Sequence, residues 1–97
     1  MKEVKIIGGC IASNKVAKEK IKVGYMYREE PSDNFADTGW RFFAGDEDEA
    51  YTDKAENFAI YDIKTICELD ENIIDYLTAP IGTSWVLNNN NVFEKEN

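Results

Sequence analysis

The side chains able to do chemistry in this chain are mostly carboxylates. Asp46, Glu47, Asp48 and Glu49 run without interruption, Asp53 and Glu56 follow closely, and a second acidic stretch carries Glu29, Glu30, Asp33 and Asp37. Such runs suit contact with a basic surface, or coordination of a hard divalent cation by several oxygens. An EF-hand loop counted from Asp46 would need glycine at its sixth position and glutamate at its twelfth, but Tyr51 and Asn57 stand there, so that pattern fails. Asp37 and Asp46 together have the composition of a glycosidase pair, although 97 residues leave little depth for a saccharide cleft. The only arginines are Arg28 and Arg41. Their guanidinium forks either hold neighbouring carboxylates such as Glu29, Asp37 or Asp46, or clamp an anionic ligand.

Other chemistry is narrowed by what the composition lacks. The chain has no histidine, which removes the commonest general base, the Ser-His and Cys-His nucleophile pairs and most zinc or iron sites. Cys10 and Cys67 are far apart in sequence and read as buried free thiols of a reducing cytosol. Gly8-Gly9 is not followed by the lysine and hydroxyl residue of a phosphate-binding loop. It suggests instead a bulge or a close backbone approach. Neither a metal nor an organic cofactor is expected.

Charge is distributed unevenly. The net charge is −8, yet residues 1–28 hold seven basic side chains against two acidic ones, while residues 29–97 hold four against seventeen. This balance opposes nucleic-acid binding, which needs a basic stripe, and favours a basic protein partner. No apolar run approaches the roughly 20 residues needed to cross a bilayer, and Lys2, Glu3 and Lys5 follow Met1 in place of an apolar signal segment. The expectation is a soluble, cytoplasmic protein without membrane contact.

The elements that must position these groups follow from periodicity. Val4, Ile6 and the run through Ala12 suggest an opening strand, while Ser13 to Lys20 fits either a turn or one helical turn. Ile21, Val23, Tyr25 and Tyr27 alternate with Lys22, Gly24, Met26 and Arg28, a strand pattern, and Trp40 to Ala44 between Gly39 and Gly45 is the next strand. The intervening Pro, Ser, Asp and Asn mark a long hairpin loop. Pairing with positions summing to about 67 puts Tyr25, Tyr27, Trp40 and Phe42 on one side and Met26, Arg28, Arg41 and Phe43 on the other. A loop of that length leaves the register free to slip by two.

Downstream, Phe58 to Tyr61 is a short strand. Asp62 caps a helix whose inner face holds Ile63, Ile66 and Cys67. Asp70 caps a second helix with Ile73, Ile74 and Leu77 inward, stopped by Pro80, and Ile81 to Leu87 closes the sheet. The predicted core contains Tyr25, Tyr27, Trp40, Phe42, Ile60, Ile66, Ile74, Leu77 and Trp85. Residues 1–87 form one domain, and 88–97 a polar tail that frays unless Val92 and Phe93 dock. The fold class is α+β: a mostly antiparallel sheet with one or two short helices on one face. An edge strand, or an exposed face with Met26, Arg41 and Phe43, would support a homodimer.

An ordered set of motifs is more specific than any of these. Gly24-Tyr25-Met26-Tyr27-Arg28-Glu29, Asp37, Gly39-Trp40-Arg41-Phe42, Gly45-Asp46-Glu47 with Tyr51, Ile60-Tyr61-Asp62, and Leu77 with Pro80 and Gly82 together resemble the bacterial family called domain of unknown function 2185. That family is grouped with the immunity proteins of polymorphic toxin systems as immunity protein type 33. The resemblance spans about Gly9 to Trp85 and implies an α+β fold and protection of a cell by binding a toxin. An immunity protein blocks by shape and charge, for which a chain without a catalytic constellation suffices. The expected function is therefore non-enzymatic binding of a toxin or effector with a basic surface, through Arg28, Glu29, Glu30, Asp33, Asp37 and Arg41 and through Asp46, Glu47, Asp48 and Glu49. The alternative is an accessory domain that binds a small ligand, an anion or a divalent cation.

Overall fold

A computed structural model of the chain describes residues 3–96. Its strands are β1 (Gly9–Ser13), β2 (Tyr25–Arg28), β3 (Asp37–Phe43), β4 (Phe58–Asp62), β5 (Ser84–Leu87) and β6 (Phe93–Glu96). They form one sheet in the order β4-β1-β3-β2-β5-β6, with β1 and β3 parallel and every other pair antiparallel. Short helices α1 (Asn14–Ala17), α2 (Glu49–Thr52) and α3 (Ile63–Leu69), with 3₁₀ turns at Ala55–Asn57 and Glu71–Tyr76, complete an α+β fold.

Polar residues start these helices where the sequence places them. Ser13, Asp48, Asp62 and Asp70 each accept a bond from a backbone N–H just downstream, satisfying donors that a helix start otherwise leaves open. The stretch from Ser13 to Lys20, ambiguous in sequence, is α1 followed by a turn in which Lys20 takes a φ of 59°. The opening strand is shorter than its apolar pattern suggests. It begins at Gly9, because Gly8 turns the chain with a φ of 141° and both glycines lie tight against Phe35 and Ala36.

One face of the sheet carries the core. Cys10, Ala12, Met26, Trp40 and Phe42 point there and meet Val16 of α1, Ile63, Ile66 and Cys67 of α3, and Ile73 and Leu77 of the second 3₁₀ turn. Burial pushes the Cys10 thiol up to about 12 and the Cys67 thiol up to about 11.

The β2–β3 register corrects the sequence expectation. Tyr25 faces Phe43 and Met26 faces Phe42, so the pairing sum is 68 and each strand's partner set shifts by one. Met26, Trp40 and Phe42 thus share the core face, whereas Tyr25 and Tyr27 lie half-buried on the other face with Arg41 and Phe43. The physical reason is burial of the side chains that can be fully enclosed. Trp40 is sealed because its indole N–H finds the Leu77 carbonyl at 3.0 Å, while Tyr25 and Tyr27 stay half-buried on the open side. Arg28 and Arg41 consequently occupy opposite faces, not one.

Two further expectations change. Ile60 is 55% exposed, because β4 is an outer strand and its even-numbered side chains lie on the uncovered face. The polar tail is a strand: β6 pairs with β5, and Phe93 docks at 4% exposure, edge-on to Tyr76 at 5.1 Å, while Val92 stays exposed.

Gly39 permits the central irregularity. Between Gly9↔Asp37 and Ile11↔Arg41, β1 advances two residues and β3 four, a bulge at which Gly39 has a φ of 89°. A Cβ there would collide with the Glu29 carbonyl. Gly39→Ala is expected to cost about 2 kcal/mol or more in urea denaturation, from backbone strain plus that clash. Both cysteines should stay unreactive toward a disulfide reagent in the native protein and react fully in denaturant.

Candidate functional site

The face opposite the helices is the candidate site. Two cross-strand rows run over it: Ile60, Ile11, Arg41, Tyr27 and Ser84, and beside them Phe58, Ser13, Phe43, Tyr25 and Val86. Its rings are in mutual contact, with Tyr27 stacked on Phe43 at 5.8 Å, Tyr25 tilted against Phe43 at 5.9 Å, and Phe58 edge-on to Phe43 at 5.6 Å. Among the described residues, no helix covers the middle of this face, and Thr52 and Ala55 reach it only from the side. It forms an open concavity of about 600 Å³ floored by Ile11, Arg41, Phe43 and Phe58.

Arg41 is the charge at its floor. Its Nε donates to Glu29 at 2.6 Å, and Nη1 and Nη2 donate to the two Asp37 oxygens at 2.9 and 2.8 Å. Asp37 also accepts from the Ser32 and Gly39 backbone N–H groups. Four residues along a regular strand span about 13 Å; the bulge and the length of the arginine let this pair close. The Arg41 hydrogen bonds, helped by those two N–H groups and opposed by burial, hold the Asp37 carboxyl well below the usual carboxylate range, and the same pair raises Arg41. Burial first, then Glu29, raises the Tyr27 phenol.

Arg28 lies on the other side. Its Nε donates to the Thr38 carbonyl and Nη1 to the Ala79 carbonyl, both at 2.9 Å, and its guanidinium sits 5.8 Å from the Trp40 ring centre. It ties the end of the second 3₁₀ turn to the sheet through carbonyls and not through carboxylates. An anion clamp shared by Arg28 and Arg41 is excluded by this separation, and each fork already has protein partners.

The acidic loops divide into structural and free carboxylates. Glu47 accepts from Ser13 Oγ at 2.6 Å and from the Ala44 and Gly45 N–H groups at 2.7 and 2.8 Å. Burial pushes its pKa up, but those three bonds outweigh it and leave the carboxyl below its usual value. Asp48 caps α2 through the Tyr51 N–H, and Asp46 pairs with Lys15 at 3.1 Å. Glu30, Asp33 and Glu49 are exposed. Although the loops leave opposite ends of β3, both reach the concavity: Glu29 lines it from the first, Thr52 and Ala55 from the second. Tyr51, edge-on to Phe58 at 5.9 Å and beneath Lys15, draws the second loop inward.

Sequence reasoning did not single out Ile11, Phe58 and Tyr51 as site residues, and it named Phe43 only on an exposed face with Met26 and Arg41 that would support a homodimer. A one-residue change in register would have moved Phe43 beside the two tyrosines, and the signal for it was Met26, an apolar residue assigned to the arginine side. Among the described residues, no group of three or more His, Cys, Asp or Glu side chains could hold a metal ion.

The profile of a known family, described as the Immunity protein Imm33 domain, matches residues 10–97 of the chain. No curated protein and no solved structure was found to be similar.

Arg41→Ala removes one half of an ion pair whose side chains are 7% and 0% exposed, stranding the Asp37 charge. A loss of about 3 kcal/mol is expected, read as a fall of roughly 10 °C or more in melting temperature. Because the folded Asp37 pKa is depressed, its contribution is complete above the unfolded value of about 4 and fades as pH falls toward the folded one. The urea midpoint of the native chain should therefore drop more steeply between about pH 5 and pH 2 than that of Asp37→Asn.

Proposed function

The chain belongs to the Imm33 immunity protein family, and from that premise we propose that it neutralises a toxin or effector by occupying its surface, with no catalytic step and no cofactor of its own. The observation that carries this reading is the uncovered sheet face, an apolar aromatic floor with an internally neutralised charge, bordered by two acidic loops. Interfaces are built in this way: aromatic anchors at the centre, and a polar rim that steers the approach and excludes the wrong partners.

The rim charge fits a partner with a basic surface. Glu30, Asp33, Glu49, Asp53 and Glu56 are exposed around the two loops, and the segment after residue 28 holds seventeen acids against four bases. Their collective field would accelerate encounter with a cationic protein and slow it with nucleic acid. Glu47, Asp37 and Asp48, although acidic, act by shaping the loops, since their oxygens already accept bonds from the protein itself. Binding would take place in the cytoplasm. Among the described residues, no helix is long and apolar enough to cross a membrane.

The test is co-expression with each candidate toxin encoded near the gene. Cells carrying both are expected to survive, and cells carrying the toxin alone to die. In purified form, a Glu30→Lys and Asp33→Lys double variant should associate several-fold more slowly, with a weaker dependence on salt, while its melting temperature stays within a few degrees of the native value. Absence of protection by the native chain would refute the proposal.

A further inference from the structure

The two outer strands of the sheet are built differently. β6 ends the sheet with Glu94, Lys95 and Glu96, all exposed, the usual protection against further pairing. β4, at the opposite edge, reads Phe58-Ala59-Ile60-Tyr61-Asp62 and has neither lysine nor proline. The Ile63 N–H bonds the Gly8 carbonyl at 2.9 Å, and positions on β4 and β1 sum to 71. In an antiparallel ladder the bonded pairs alternate, so residues 59 and 61 face β1, and 58, 60 and 62 present their backbone groups outward. The Phe58 N–H is taken by Ala55, and the Asp62 carbonyl lies at the start of α3. Among the described residues, the Phe58 carbonyl, both Ile60 groups and the Asp62 N–H have no bond outside the strand ladder.

Side chains make this edge selective. Ile60, 55% exposed, stands between two concavities on the open face. One, of about 600 Å³, is floored by Ile11, Phe43 and Phe58; the other, of about 390 Å³, is formed by Ile7, Phe35 and Asp62 against the backbone of Gly8 and Gly9. Ile7 is 92% exposed there. A strand laid beside β4 would set its alternate side chains along this apolar row, next to the Asp62 carboxylate and near the acidic rim.

We propose that β4 is a strand-addition edge for the protein partner: an extended segment with apolar residues at alternate positions and lysine or arginine at its ends pairs with Phe58, Ile60 and Asp62 as a seventh strand. This rests on the immunity reading for the partner's identity, but the edge itself can be tested alone. Charge favours such a partner over a second copy of the chain, because two copies would each bring a net charge of −8.

The probe is a capped peptide, Lys-Thr-Val-Thr-Val-Thr-Lys, added to the full chain labelled with nitrogen-15. It is expected to shift the amide signals of Phe58, Ile60 and Asp62 and to slow hydrogen exchange at Ile60 and Asp62. A version with glutamate for lysine should bind at least tenfold more weakly, and one N-methylated at both valines should give no exchange protection. Ile60→Lys should weaken binding at least tenfold. Ile60→Pro should do the same without loss of fold, since the N–H it removes points away from β1, whereas Ala59→Pro breaks an internal pair and should unfold the sheet. Equal binding of the glutamate peptide, shifts confined to other strands, or pairing of β4 with a second copy in place of the peptide would overturn the proposal. In the co-expression assay, a folded Ile60→Lys variant that still protects fully would sink the edge and leave the immunity role standing. If the native chain does not protect, the immunity role falls and the peptide result decides the edge by itself.

Discussion

The structure depends on one constraint, a guanidinium set into the floor of a sheet. Arg41 is 6% exposed in the central strand β3, and an unpaired charge at such depth would cost several kcal/mol. Neutralisation comes from Asp37 on the same strand and Glu29 at the end of its neighbour. Meeting Asp37 requires the bulge, the bulge requires Gly39 in a left-handed conformation, and Asp37 in turn gathers the Ser32 and Gly39 N–H groups. The first loop is thereby folded from the charge outward. Its far end, with Phe35 and Ala36 at positive φ, rests on Gly8 and Gly9, so strain in the loop is held by contacts at both ends.

A chain of strong acidity need not present all of it to a partner. Glu47 closes the turn after β3 and holds the end of β1, Asp48, Asp62 and Asp70 start helices, and Asp37 holds Arg41. Each is an acceptor for donors that would otherwise be open, and such bonds are worth more per residue than exposed ion pairs such as Lys15 with Asp46. The acids without these duties, such as Glu30, Asp33 and Glu49, are exposed. A count of acids therefore overstates the charge a partner could meet, and the map of their hydrogen bonds gives the remainder.

Much of the fold was legible because its signals are local. The caps at Asp62 and Asp70, the apolar faces of Ile63, Ile66, Ile73 and Leu77, and the long hairpin loop all declare themselves within a few residues. The register of β2 on β3 does not, since it is fixed by which side chains can be enclosed beneath α1, α3 and the second 3₁₀ turn, which belong to other parts of the chain. Strict alternation of Tyr25, Tyr27, Trp40 and Phe42 looked like one face. It was two, because a shift of one inverts every side chain. The partnership of Arg41 with Glu29 and Asp37 was among the options visible in sequence; the separation of Arg28 from it was not. The sequence leaves open whether the tail frays or docks through Val92 and Phe93, and the docking is done by Phe93, packed edge-on against Tyr76 while β6 pairs with β5.

The division of the sheet into a sealed face and an open one explains how stability and recognition coexist in so small a chain. Domains of this size bury a smaller share of their surface than larger ones, and here the fully enclosed side chains lie between the sheet and α1, α3 and the second 3₁₀ turn. The open face contributes through ring contacts and the Arg41 pair and retains apolar area at Ile60 and Val86. Left in water, that area is an unrealised gain of about 25 cal/mol for each Å² a partner would cover. The same face would be an aggregation hazard if both edges were bare. Charged residues guard β6, and on the proposed reading the acidic rim beside β4 would repel a second copy of the chain and admit a cationic segment. Selectivity at that edge would then follow from sign of charge, and affinity from the apolar row beneath it.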